Sequence, residues 1–161
     1  SLVAAQTGES LADATLTISA FIAGMIAGRA VMSMPATGRL EAMWIIRGGL
    51  ALTFVAVLVV WLSGAWALSA AAMAVAGFGV GILYPPCAAI TLATAPEAPA
   101  AASARLVLAA GLAILVAPLL LGVIADLTDI GSAWLLVPAV CVGVALLSVP
   151  VDHARRTREA A

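Results

Sequence analysis

Gly77-Phe78-Gly79-Val80-Gly81-Ile82-Leu83-Tyr84-Pro85-Pro86 lies within an apolar run from about Trp66 to Leu92, and this run decides the fold. At about 1.5 Å per residue, a helix of that length crosses a bilayer. The three glycines leave the backbone bare, and the two prolines withdraw the amide donors that would have bonded the carbonyls of Gly81 and Ile82. Because unbonded carbonyls are costly in lipid, the stretch predicts a helix broken at membrane depth, which is typical of a transport pathway.

The composition is that of an integral membrane protein. Of the 161 residues, 65% are hydrophobic and 9% are charged, whereas soluble domains carry about 25% charged residues. This length accommodates about five spanning helices with short connections and no soluble domain. The net charge of −1 argues against a nucleic-acid partner. Cys87 and Cys141 lack the spacing of metal ligands, so we interpret both as buried small hydrophobic residues and expect no metal or cofactor.

Turn residues and charges divide the chain into five predicted spans, which define a single all-α membrane domain over residues 1–161. The spans cover about residues 11–34, 42–62, 66–92, 101–125 and 132–150. Residues 151–161 form a tail that is too polar to enter lipid. On the first span, Ala20, Gly24 and Gly28 recur every four positions and predict a smooth face for close packing against another helix.

The positions of the charges predict the orientation. If the C-terminal tail is cytoplasmic, every arginine lies at or within about two turns of a cytoplasmic helix end, as membrane topology generally requires. These arginines are Arg29, Arg39, Arg47, Arg105, Arg155, Arg156 and Arg158. The opposite side then receives Glu9, Asp13, Asp126 and Asp129. We therefore expect a multi-pass protein of the cell membrane with an outside N-terminus and a cytoplasmic C-terminus.

Three stretches are similar to parts of one transporter family. Gly28–Arg39 resembles the glycine- and arginine-bearing cytoplasmic loop between the family's eighth and ninth helices, without its usual aspartate. Gly77–Pro86 resembles the glycine-rich, proline-ended tenth helix. Gly111–Asp126 resembles the eleventh, with Ala117 in place of the glycine before Pro118. In this order, they resemble the C-terminal half of a major facilitator superfamily transporter, from just before helix eight to helix twelve.

The resemblance implies a solute carrier in which two six-helix halves rock about a central site. This chain would supply most of one half, and its partners would be the lipid bilayer, the missing N-terminal half and a small-molecule solute. The sequence starts at Ser1 rather than Met, which is typical of a chain that begins within a longer protein. No acid lies at mid-membrane depth, so in a proton-driven carrier we expect the titrating carboxylate in the missing half.

Six residues are candidate hinge or gate positions, because they bare the backbone or remove its donors: Gly77, Gly79, Gly81, Pro85, Pro86 and Pro118. For the glycines, close helix packing is the alternative. Arg29 and Arg39 carry the charge of the cytoplasmic loop. Arg29 either extends to the interface or joins a charge cluster with Glu41 or Glu97 that latches the outward-open state.

Four residues are candidates for solute contact: Thr17, Phe21, Tyr84 and Arg105. The resemblance places the helix with Thr17 and Phe21 beside the cavity, and it places Arg105 where an anionic group would lie. Tyr84 stands next to the proline pair, and its hydroxyl either faces the cavity or bonds one of the freed carbonyls.

The sequence bears on two other classes of function. A non-transporting five-helix membrane subunit, or a truncated product, remains an alternative to the transporter. An intramembrane enzyme is disfavoured, because the sequence has no Gly-x-Ser-x-Gly turn, no pair of intramembrane aspartates and no histidine-rich cluster. A dinucleotide loop at Gly77–Gly81 would need a preceding strand, which an unbroken apolar span does not offer.

Overall fold

The computed structural model describes residues 11–159, except for the side chains of 11–14, 36, 39, 151 and 153–159. Its helices are α1 (Leu11–Met32), a 3-10 turn (Pro35–Arg39), α2 (Ala42–Leu62), α3 (Trp66–Ala93), α4 (Pro99–Leu127), α5 (Ile130–Trp134) and α6 (Leu136–Glu159). Five stretches are long and apolar enough to cross a membrane. The predicted all-α, five-span fold is therefore confirmed for the described residues.

Successive spans alternate in direction, which places the connections in two groups. The α1–α2 connection, the α3–α4 connection and the end of α6 share one side of the bundle, which we call the tail side. Two helical elements that start on the tail side begin with proline, Pro35 in the 3-10 turn and Pro99 in α4. Proline suits these positions because the backbone amides of a first helical turn have no partner within the helix. The last helix continues to Glu159, past the predicted end of the fifth span at residue 150.

Helix α3 is the central element of the fold. Both α1 and α2 pack along its length, α6 packs on α2, and α4 touches α3 more lightly. The buried positions of α3 are almost all small: Ser69, Ala72, Ala76, Gly77, Gly79, Gly81 and Pro86. Small side chains let the backbones of neighbouring helices approach closely, which is the main way that helices associate in lipid.

Two glycines of α1 lie directly against the backbone of α3. A Cβ atom added at Gly24 would collide with the carbonyl oxygen of Ala74, and one added at Gly28 would lie 2.6 Å from the carbonyl oxygen of Phe78. The smooth face that the spacing of Gly24 and Gly28 predicts is thus confirmed, and its partner is α3.

The contact is reciprocal, because two glycines of α3 lie against the backbone of α1. Added Cβ atoms at Gly77 and Gly81 would collide with the carbonyl oxygens of Phe21 and Met25. Each helix contributes a pair of glycines four residues apart, and the two helices run parallel. We call this contact the glycine seam (Gly24, Gly28, Gly77 and Gly81).

The third glycine of the α3 stretch faces the opposite neighbour. A Cβ atom at Gly79 would collide with the hydroxyl oxygen of Thr53 and lie 2.9 Å from the carbonyl oxygen of Gly49, both on α2. The Thr53 hydroxyl donates a hydrogen bond of 2.9 Å to that same carbonyl, so it does not leave a buried polar group unpaired. The glycines at alternate positions therefore allow close packing on two faces of α3, with Gly77 and Gly81 against α1 and Gly79 against α2.

The predicted break at the prolines is wrong in one respect, because α3 is a continuous helix of 28 residues with Pro85 and Pro86 inside it. The prolines still remove two amide donors. Opening the helix would expose further backbone groups to lipid, where each unsatisfied group costs several kcal/mol, so a continuous helix leaves fewer groups unpaired than a break. Packing by α1 and α2 on both sides also supports the helix.

Helix α4 differs from the other spans because it is almost entirely exposed. Ala102 is its one buried residue, and all ten residues from 111 to 120 are exposed. Its main contacts within the described part of the chain are with the neighbouring α3 and α5. The apolar surface of α4 is therefore available for contact with lipid or with another protein segment.

The side opposite the tail side is held by polar contacts at α5. The indole nitrogen of Trp61, near the end of α2, donates to the carbonyl oxygen of Gly131 at 3.2 Å. The Asp129 carboxylate accepts from the Ser132 hydroxyl at 2.6 Å and from the Ser132 backbone amide at 2.9 Å. These hydrogen bonds, led by the one from the hydroxyl, lower the pKa of Asp129.

The glycine seam yields a test with a matched control. Replacing Gly77 with Ala inserts a methyl group against the Phe21 carbonyl, so we expect the helices to separate and the protein to lose about 1–3 kcal/mol of stability. The control is Gly48→Ala on α2, where an added Cβ meets nothing within 4 Å. Melting temperatures in detergent should fall for Gly77→Ala and stay level or rise for Gly48→Ala. Equal melting temperatures for the two variants would contradict the seam.

Candidate functional site

The candidate site lies at the tail-side end of α1 and α3, where a cation meets an aromatic ring. The guanidinium carbon of Arg29 lies 5.8 Å from the centre of the Tyr84 ring. This distance is within the range of a cation–π interaction. Tyr84 is 45% exposed, and Arg29 is exposed as well. The pair is therefore accessible from outside the helix packing.

The position of this pair connects two features of the sequence. Arg29 directly follows Gly28 of the glycine seam, and Tyr84 directly precedes Pro85. The seam holds α1 and α3 together up to Gly81, and the prolines remove the amide donors for the carbonyls of Gly81 and Ile82, just before Tyr84. The Arg29–Tyr84 contact therefore joins the two helices beside the part of α3 that lacks two backbone hydrogen bonds.

The two candidates for solute contact on α1, Thr17 and Phe21, are buried and half-buried respectively. Thr17 is 4% exposed. Phe21 is half-buried and packs against a cluster formed by Ala56, Val57 and Ala76 on α2 and α3. Helix packing accounts for the position of Phe21 without any solute. Solute contact by these two residues remains a prediction.

The candidates on α4 and in the loop are separate from the Arg29–Tyr84 pair. Arg105 and Pro118 are both exposed on α4, and no ion pair joins Arg105 to a described residue. Arg39 ends the 3-10 turn, and its side chain lies outside the described residues. Roles for these three residues in solute contact, hinging or loop charge also remain predictions.

One interaction on the tail side was missed by the sequence analysis. A terminal guanidinium nitrogen of Arg47 lies 3.0 Å from a carboxylate oxygen of Asp152, which ties α2 to the end of α6. The two residues are 105 positions apart. The available signal was that both lie near tail-side helix ends, but their pairing depends on α6 packing against α2.

The described residues hold no cluster of three or more histidines, cysteines, aspartates and glutamates that could bind a metal ion. Cys141 is buried and Cys87 is half-buried, and both thiols are free. The polar chemistry of the described tail side therefore consists of guanidinium groups, a phenol, hydroxyls and carboxylates.

Comparison with known families agrees with this architecture. The sequence profile of the Major Facilitator Superfamily matches residues 1–161, and the chain belongs to that family. Its members are transporters. Among curated proteins and among solved structures, no match to this chain reaches significance. The predicted family is thus confirmed, and the numbering of the spans as helices eight to twelve stays a prediction.

The Arg29–Tyr84 contact can be measured with a double-mutant cycle. Arg29→Gln removes the cation, Tyr84→Leu removes the ring, and the coupling between them should be about 0.5–1 kcal/mol because the pair is exposed. Tyr84→Phe keeps the aromatic face and serves as the control, so it should retain the coupling. Unfolding in mixed detergent supplies the free energies. A coupling energy of zero would show that the two side chains do not interact.

Proposed function

We propose that this chain supplies most of the C-terminal half of a secondary transporter that moves a small solute across the cell membrane by alternating access. The observation that carries the proposal is the family match over residues 1–161, in a chain with five described stretches able to span a membrane. In this proposal an N-terminal half completes the solute site, and the two halves rock about it. The tail side faces the cytoplasm, as the arginine positions favour.

The exposure of α4 supports a second half that packs against it. Ala109, Ala113 and Ala117 recur every four residues and are all exposed. Such a face of small residues suits close packing by another transmembrane helix. Large apolar side chains on the same helix, such as Ile114 at 76% exposure, leave further surface for protein or lipid. In the proposed transporter, one face of α4 contacts the N-terminal half.

The structure of α3 near its tail-side end supports the proposal that this segment acts as a gate. The glycine seam holds the middle of α3 against α1, whereas the prolines leave the carbonyls of Gly81 and Ile82 without their usual amide partners. The segment after Pro86 can therefore bend with fewer hydrogen bonds to break than an ordinary helix. The Arg29–Tyr84 contact sits where this bending starts, so its formation and loss would accompany closing and opening.

The gate is tested by restoring the missing donors. The double variant Pro85→Ala with Pro86→Ala stiffens α3, so we expect the maximal uptake rate to change on the order of tenfold while the half-saturating solute concentration stays within about twofold. Pro96→Ala in the exposed α3–α4 connection is the control. The measurement is uptake into proteoliposomes by the full-length protein, with a solute found by thermal-shift screening. An unchanged rate would assign the prolines to packing alone.

Two observations separate the transporter from a non-transporting subunit. The complete gene should encode about seven further apolar spans ahead of Ser1, because the family resemblance assigns this chain to the second half. Residues 1–161 reconstituted alone should show no saturable uptake, since half of the cavity wall is missing, while the full-length protein should transport. Saturable uptake by residues 1–161 alone would refute the two-half arrangement.

A further inference from the structure

A groove of about 160 Å³ lies between α2 and α6, away from the Arg29–Tyr84 pair. Its walls are apolar, and one arginine stands among them. The lining residues are Arg47, Leu50, Ala51 and Phe54 of α2 and Cys141, Val142 and Ala145 of α6. Both walls belong to stretches apolar enough to cross a membrane, so hydrocarbon is the natural occupant of most of the groove.

The arginine is held in place by its ion pair. One terminal nitrogen of Arg47 donates to the Asp152 carboxylate at 3.0 Å, and the Asp152 side chain is only 10% exposed. The Arg47 side chain is 34% exposed. A guanidinium carries five N–H donors, and this hydrogen bond uses one of them. Arg47 thus lies at the edge of an apolar groove, paired with Asp152 and with its remaining N–H donors open to a second anion.

Arg47 lies near the tail-side start of the α2 span. It is the sixth residue of α2, which begins at Ala42, so its Cα lies about 7.5 Å into the helix at 1.5 Å per residue. A long arginine side chain reaches from that depth towards the headgroup layer. Leu50 and Phe54 follow Arg47 at three and seven positions, so the apolar wall continues from the cation towards the membrane centre.

We propose that this groove binds one membrane phospholipid, with its phosphate on Arg47 and an acyl chain along the α2–α6 walls. Charge complementarity supports this occupant, because a phosphate diester accepts two hydrogen bonds from a guanidinium in a planar arrangement. Basic positions between membrane helices near the headgroup layer are suited to lipid phosphates in general. The groove includes none of the candidate solute-contact residues, and lipid binding there does not require the protein to transport.

The test is native mass spectrometry of the full-length protein with added phosphatidylglycerol. The double variant Arg47→Gln with Asp152→Asn removes the cation together with the carboxylate charge that it pairs with, and should weaken binding about tenfold. Ala145→Trp fills the groove but keeps the ion pair, and should weaken binding similarly. Ile26→Trp, which enlarges an exposed position on α1 outside the groove, should bind as the wild type does.

A second arm isolates the phosphate. Diacylglycerol with the same acyl chains should bind the wild type about tenfold more weakly than phosphatidylglycerol, and the double variant should bind the two lipids equally. Unchanged phosphatidylglycerol binding in either groove variant, or equal binding of both lipids to the wild type, would overturn the proposal. So would a wild-type dimer that Ala145→Trp dissociates, because a second copy of the chain would then occupy the groove. Melting temperatures near the wild-type value show that the variants are folded.

Discussion

The close approach of neighbouring helices at three glycines of α3, Gly77, Gly79 and Gly81, is the constraint on which the rest of the structure depends. At Gly77 and Gly81 the backbone of α1 occupies the space that a Cβ atom would need, and at Gly79 the Thr53 hydroxyl and the Gly49 carbonyl of α2 do the same. Between lipid-embedded helices there is little hydrophobic driving force, so attraction comes from van der Waals contact over closely approaching backbones. Cα–H groups facing carbonyl oxygens add weak hydrogen bonds at such crossings. The positions of α1 and α2 follow from these contacts, and that of α6 follows from α2.

Much of this arrangement is predictable from the sequence. Apolar runs and turn residues predict the five spans, and the four-residue spacing of Gly24 and Gly28 predicts a packing face. Glycines at every second position of a helix fall alternately on opposite faces, because each step of two residues turns by about 200° at 3.6 residues per turn. That pattern indicates a helix with two close neighbours. The continuity of α3 through Pro85 is harder to predict. The hydrogen bonds that the prolines remove can be counted from the sequence, but a break in the helix would expose further backbone groups to lipid at a larger cost.

The two side-chain pairs, Arg29–Tyr84 and Arg47–Asp152, cannot be predicted from one sequence alone. Arg29 was correctly identified as a tail-side cation, yet its contact with Tyr84 depends on the parallel packing of two helices that are not consecutive. The Arg47–Asp152 ion pair joins residues 105 positions apart and follows from the α2–α6 contact. Local patterns report which residues are polar and at what depth they lie. They do not report which helices are neighbours, and that determines the partner of each charge.

The central place of α3 also has a consequence for biogenesis. Helices α1 and α2 are synthesised before α3 and are joined by a short connection, but within the described residues they pack chiefly on α3 and only slightly on each other. The third span joins them by packing against both, and α6 packs on α2. The contacts that hold α1 and α2 in this domain therefore form only after α3 has been made, and a ribosome stalled before residue 66 leaves both helices without the helix that joins them.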